Sequence, residues 1–258
     1  MTLAHGTRRP VLAGNWKMNG SRSDSVTLAR ALIPLLQDLS TIEQVICPPF
    51  LHIDAVSRVI EGQSGIKLGA QDCSAFASGA YTGDISASQI KDSNASHVII
   101  GHSERRQYHG ESGTTIKDKI ERAREAGLKI ILCVGESRTI RDAGQSEDVV
   151  LGQIRDVLSV LDIKDTVIAY EPVWAIGTGL TASPEDAQSM HRAIRGFLQE
   201  NLADGGAMRI LYGGSVKPDN ALALAQGDDI DGFLVGGASL KADDFKAIGV
   251  GLTQGKGL

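Results

Sequence analysis

The sequence predicts an α/β fold of the closed (β/α)8 barrel type, with eight parallel strands inside an outer ring of helices. Three observations predict it. Eight short apolar runs alternate with longer amphipathic ones through 258 residues. Most of the short runs are continuously apolar, as strands buried on both faces of a parallel sheet must be. Polar or glycine residues recur just past the ends of five of those runs, where the loops of a barrel converge. An open doubly wound sheet satisfies the periodicity alone, but eight β-then-α units in a chain of this length favour closure. No linker, charge block or low-complexity run divides the chain, so one domain over 1–258 is expected, with 1–9 as a loose extension.

In order, the strand-like runs are 11–14, 44–47, 66–70, 97–100, 129–134, 166–170, 209–212 and 232–235. Between and after them, helix-like stretches cover 25–37, 53–59, 86–92, 114–126, 147–158, 184–200, 218–225 and 238–248. The boundaries carry chemical signals. Ser183-Pro184-Glu185-Asp186 reads as a helix start, with a capping hydroxyl, a proline at the first helical position and acids in the first turn. Gly127 ends the helix that precedes it.

Composition narrows the function classes. Hydrophobic residues make up 42% and charged residues 22%, ordinary values for a globular chain. A formal net charge of −5 argues against nucleic acid or an anionic membrane as partner. Any anionic ligand must then be held by local groups. Cys47, Cys73 and Cys133 lack metal-binding spacing, and three is an odd number for a disulfide framework, so a reducing, cytoplasmic setting is expected. No signal peptide or membrane span is expected, and no metal-ligand cluster such as HExxH occurs.

The strongest functional stretch is Glu171-Pro172-Val173-Trp174-Ala175-Ile176-Gly177-Thr178-Gly179, directly after a buried run. It places a carboxylate at a strand end, followed by a segment that is stiff at Pro172, apolar at Trp174 and Ile176, and free at its glycines. Such a build suits a lid over a site, whereas a plain surface loop would be polar. Asn15 and Lys17 follow the first run, and Lys17 beside Trp16 can offer a cation to an anionic ligand. His102 leaves the fourth run after Gly101 and meets a helix start at Ser103. A helix N-terminus disfavours positive charge, so this imidazole is expected to stay neutral and donate a hydrogen bond. His97 reads as a hydrogen-bonded core residue. Glu104 reads as a first-turn acid or as a partner for Lys17. Gly213-Gly214-Ser215 and Gly236-Gly237 follow the last two runs, where barrels build phosphate sites from backbone N–H groups. Two apparent nucleotide motifs fail. The glycines at 177–182 begin six residues beyond Glu171 instead of at the strand end, and the tail at 251–257 is one residue short of a P-loop.

Taken together, Gly14 to Gly20, Gly69 to Asp72, Ser78 to Gly83, Gly101 to Arg106, Cys133 to Glu136, Tyr170 to Gly179, Tyr212 to Lys217 and Leu234 to Leu240 closely resemble the triosephosphate isomerase family. The resemblance runs in order from about Pro10 to near the C-terminus. It implies a cofactor-free, metal-free aldose–ketose isomerase of glycolysis and gluconeogenesis, acting on a phosphorylated triose. On that resemblance Glu171 is the base, His102 the electrophile, and Lys17 the electrostatic stabiliser with Asn15 beside it. Glu104 is a supporting acid and Cys133 a structural cysteine. Gly177, Ser215, Leu234, Gly236 and Gly237 bind substrate or its phosphate, and 171–181 is the closing lid. The loop 71–84 is implied to join a homodimer, with Met18 and Thr82 in the contact. The chain departs from the family's pattern at Asp72, Asp84 and Leu180, and the shorter Asp84 is expected to weaken a charge contact with the partner near Arg105. Rival readings are another phosphate-binding barrel enzyme and a barrel kept only for binding. The Glu171 lid with Lys17 and His102 argues against the first, and the complete catalytic set against the second.

Overall fold

A computed structural model describes residues 8–62, 65–176 and 182–258. Eight parallel strands close on themselves in sequence order. They are β1 (Val11–Asn15), β2 (Glu43–Cys47), β3 (Ile66–Ala70), β4 (His97–Ile100), β5 (Lys129–Val134), β6 (Thr166–Tyr170), β7 (Ile210–Tyr212) and β8 (Gly232–Val235). Closure is made by β1 against β8, with Val11 opposite Gly232 and Gly14 opposite Val235. Gly232 is required there. Its φ is +146°, and a Cβ at this position would fall on the Val11 carbonyl oxygen.

Alternation along the strands divides the core into two layers. Val11, Ala13, Val45, Ile99, Ile131, Cys133, Val167, Ala169, Leu211 and Leu234 pack together as one buried cluster, the filling of the barrel. Their neighbours, including Leu12, Ile46, Ile100, Leu132, Ile168 and Phe233, belong to a second cluster shared with the helices. Both strand faces are therefore buried, which is why the runs read as continuous apolar sequence.

The outer helices are α1 (Arg22–Leu36), α2 (Ile53–Ile60), α3 (Ala87–Asp92), α4 (Ser103–His109), α5 (Gly113–Glu125), α6 (Arg138–Asp142), α7 (Ser146–Arg155), α8 (Pro184–Asn201), α9 (Ala221–Ala225) and α10 (Ala242–Gly255). α1 begins three residues before the expected stretch because Ser21 and Asp24 form a reciprocal capping box. Two expected helices change form. The stretch 218–225 is helical only from Ala221, because Asn220 Oδ1 accepts the Lys217 N–H at 2.8 Å and closes a turn first. The stretch 238–248 is split. A 3-10 turn covers Gly237–Leu240, Lys241 is extended, and α10 then runs on to Gly255.

At the amino end of the barrel, Glu43 accepts bonds from His97 Nε2 at 3.2 Å, Lys129 Nζ at 3.1 Å and the Arg209 guanidinium. The His97 contact, aided by Arg209, holds the Glu43 carboxyl far below the usual range against the cost of burial. This polar plug leaves the carboxyl end free for chemistry. Arg8 is tied to Asp231 at 2.6 Å, and Arg9 donates to carbonyls of residues 40–42, so the described part of the N-terminal extension is anchored. No helix of the described residues is long and apolar enough to cross a membrane.

Candidate active site

A cleft of about 800 Å3 opens at the carboxyl end of the strands. Asn15, Lys17, His102, Glu104, Glu171, Ser215, Leu234, Gly236 and Gly237 all line it, contributed by β1, β4, β6, β7, β8 and the loops after them. Gly177 and the lid residues 178–181 lie outside the described residues. Met18 and Thr82 do not line the cleft; both are exposed, Met18 to 95%.

The centre of the cleft is built on the first turn of α4. Glu171, only 1% exposed, has both carboxylate oxygens occupied. Oε2 accepts the Ser103 backbone N–H at 2.8 Å, and Oε1 accepts from His102 Nε2 at 2.9 Å. Burial opposes ionisation of Glu171, but His102, the Ser103 amide and Lys17 outweigh it and hold the carboxyl below its ordinary value. A buried carboxylate kept ionised and aimed at a cleft is a base ready for use.

His102 caps the same turn: its Nδ1 accepts the Glu104 N–H at 3.2 Å. Burial works against charge on this ring, while the Glu171 carboxylate works for it, and the net pull is upward. The hydrogen bonds decide the state of the empty site. A protonated Nδ1 would face the Glu104 amide donor to donor, so the ring is assigned as the neutral tautomer with its proton on Nε2.

Lys17 extends its ammonium to Glu104 Oε1 at 2.5 Å. Its backbone is strained, with φ at +51° in a residue other than glycine. Two side chains hold that conformation. Asn15 Oδ1 accepts the Lys17 N–H at 3.0 Å, and Gln71 Nε2 donates to the Lys17 carbonyl at 2.8 Å. Opposite, Gly236 precedes the short turn of Gly237–Leu240, and a Cβ on Gly237 would meet nothing within 4 Å. Bare backbone thus faces Lys17 across the cleft, a suitable cradle for an anion.

The described lid stem is clamped from below. Glu136 Oε1 accepts from Trp174 Nε1 at 2.8 Å and from Tyr170 Oη at 3.1 Å, and the Val173 N–H donates to the Glu136 carbonyl at 3.1 Å. A Cβ on Gly135 would collide with the Glu171 carbonyl, so this glycine lets the base's backbone lie against the loop after β5. Three contributors were not legible as such in the sequence: the Ser103 amide, Gln71 and Glu136. The Ser103 role rests on a backbone atom, which residue type does not encode. Gln71 and Glu136 lie inside quoted motifs, and their polar character beside strand ends was the available signal. Cys133 is wholly buried with its thiol pushed well above the usual value, so it is no nucleophile.

The family model described as Triosephosphate isomerase matches residues 10–250. A triosephosphate isomerase of Herpetosiphon aurantiacus is 51% identical over 243 residues, which cover 92% of this chain and 97% of the relative. One of Alkalilimnicola ehrlichii is 48% identical over 245 residues, covering 93% and 97%. The crystal structure of triosephosphate isomerase from Bartonella henselae superposes with a TM-score of 0.86 at 40% identity, covering 93% of this chain and 97% of that one.

Behind the site, His191 is fully buried, edge-on to Tyr170, with Nδ1 3.1 Å from the Asp229 carbonyl. Burial lowers its pKa from 6.5 to about 4. The unfolded chain therefore binds a proton between these values that the folded chain refuses. Folding is unpenalised above pH 6.5 and loses stability as pH falls toward 4. At about pH 5 the loss is about 2 kcal/mol. Urea unfolding of wild type and His191→Phe at neutral pH and near pH 5 checks this: the variant's pH dependence should be shallower by that amount. An equal dependence in both would show that His191 is not the group responsible.

Proposed function

This chain belongs to the triosephosphate isomerase family, and we propose that its cleft interconverts dihydroxyacetone phosphate and D-glyceraldehyde 3-phosphate by proton transfer through an enediolate. The observation that carries this reading is the state of Glu171: buried, ionised and hydrogen-bonded to a neutral imidazole in a cleft that also holds a lysine. The carboxylate leaves the Ser103 amide and takes a proton from the carbon beside the substrate carbonyl. Negative charge then grows on the carbonyl oxygen, where His102 Nε2–H and the Lys17 ammonium stabilise it. Glu171 returns the proton to the neighbouring carbon, and His102 helps move protons between the two oxygens. Protons and electrons balance within the substrate, so the reaction requires neither metal nor cofactor.

Asn15 holds Lys17 in its strained pose and Glu104 anchors the ammonium. Ser215 and the backbone of Gly236 and Gly237, with Leu234 beneath, receive the phosphate, and Gly177 adds an amide when the lid 171–181 closes. Closure excludes water, which protects an intermediate prone to expel phosphate.

The same reading makes the protein a cytoplasmic homodimer joined through loop 71–84. Support comes from apolar side chains that the protomer leaves exposed: Met18, Leu51, and Phe76 stacked on Tyr81 at 3.8 Å. Asp84 is engaged within its own loop, accepting the Ser74 hydroxyl at 2.6 Å, which fits a weaker reach toward a partner's Arg105. Cys47, Cys73 and Cys133 are free thiols, as a reducing compartment permits.

A coupled assay of glyceraldehyde 3-phosphate isomerisation on wild type and Glu171→Gln tests the chemistry. The variant should lose at least about 1,000-fold in kcat, or about 4 kcal/mol of barrier. Turnover untouched by the substitution would remove Glu171 from the role of base. Sedimentation at micromolar protein should give twice the chain mass; a fully active monomer would refute the dimer.

A further inference from the structure

Glu171 also lines a second cavity, of about 550 Å3, bounded by α4, α6, α7 and the lid stem. That volume is in the range of small-molecule sites. Ile140, Val149, Val173 and Trp174 supply an apolar wall, and Arg106 and Arg138 supply positive charge beside Glu171. Arg106 is held firmly: Nε donates to the Gly101 carbonyl at 2.8 Å and Nη2 to the Cys133 carbonyl at 2.9 Å. Those partners are neutral. Among the described residues Arg106 forms no ion pair, and its Nη1 has no hydrogen-bond partner. Burial works against its charge. A half-buried guanidinium with an open donor and no direct ion pair, facing an apolar wall, is matched by a ligand with one carboxylate and an apolar body.

We propose that this cavity is an effector site for a small aromatic or branched carboxylate, acting on Glu171 and the lid stem from a chamber separate from the substrate cleft. The substrate cleft is lined by neither Val173 nor Trp174, and this cavity by neither Lys17 nor His102. Substrate and effector can therefore bind together. A ligand packed on Val173 and Trp174 braces the stem in the arrangement where the Ser103 amide and His102 cap the Glu171 carboxylate. The base is then harder to release to substrate, so kcat falls while KM changes little. This kinetic consequence rests on the isomerase reading; binding does not.

Benzoate is the probe, titrated into the full chain with Trp174 fluorescence as the binding signal. Saturable quenching is expected, with a dissociation constant on the order of 1 mM. In the isomerase assay benzoate should lower kcat at nearly constant KM. Arg106→Lys should weaken binding about tenfold, and Val149→Phe, which fills the chamber, should abolish it. Each variant's inhibition is read against its own benzoate-free rate. Should either variant not fold, magnetisation transfer from benzoate to the Ile140 and Val149 methyl groups of the wild type provides the same test. Absence of saturable binding up to about 50 mM, competition with glyceraldehyde 3-phosphate, or transfer to Leu234 instead would overturn the proposal. Saturable binding without turnover in the wild type would support the site and count against the isomerase reading.

Discussion

The first turn of α4 is the constraint on which the rest of the site depends. Two consecutive residues there address Glu171, His102 and Lys17. The Ser103 amide holds the Glu171 carboxylate, the Glu104 amide fixes Nδ1 of His102, and the Glu104 carboxylate receives the Lys17 ammonium. Unsatisfied N–H groups at a helix start are an ordinary consequence of helix geometry. Here they find their acceptors in side chains that arrive from β6 and from the cap itself. The barrel's part is to bring the end of β6 to the end of β4 through β5, whose register places Ile100 opposite Leu132 and Val134 opposite Tyr170.

Strain and support are distributed accordingly. Lys17 sits in a backbone conformation disfavoured for its type, and Asn15 and Gln71 hold it there from two directions. Gln71 also donates to the Cys47 carbonyl at 2.9 Å, which links the strained loop to the end of β2. At the foot of loop 71–84, the departure at Asp72 places a carboxylate against Lys119 at 2.7 Å and Arg105 at 2.8 Å, with Glu111 facing the same two cations. Two acids and two bases share this half-buried knot. Burial still pushes the Asp72 carboxyl upward, the largest influence on it.

The barrel was legible because its signal is redundant. Most of the eight strands read as continuous apolar runs, and seven of the eight keep their expected C-terminal residue; β1 is longer by Asn15. Helix ends were less legible where side chains intervened: Asn220 closed a turn at the start of the expected helix 218–225, and a 3-10 turn capped by Gly236 came before α10. α6 has five residues, too few for a period to register. In the site, residue types at strand ends pointed to Lys17, His102 and Glu171. The sequence could not encode the Ser103 amide, nor the positive φ that makes Asn15 a holder of Lys17.

The α4 amide at Nδ1 directs the proton of the neutral His102 ring to Nε2, beside Glu171. Nitrogen-15 NMR of histidine-labelled protein tests this most directly. At about pH 9, His102 should show one protonated nitrogen, Nε2, and one bare nitrogen, Nδ1. A proton on Nδ1 at that pH would contradict the claim, because the Glu104 amide would then face a proton instead of donating to the Nδ1 lone pair.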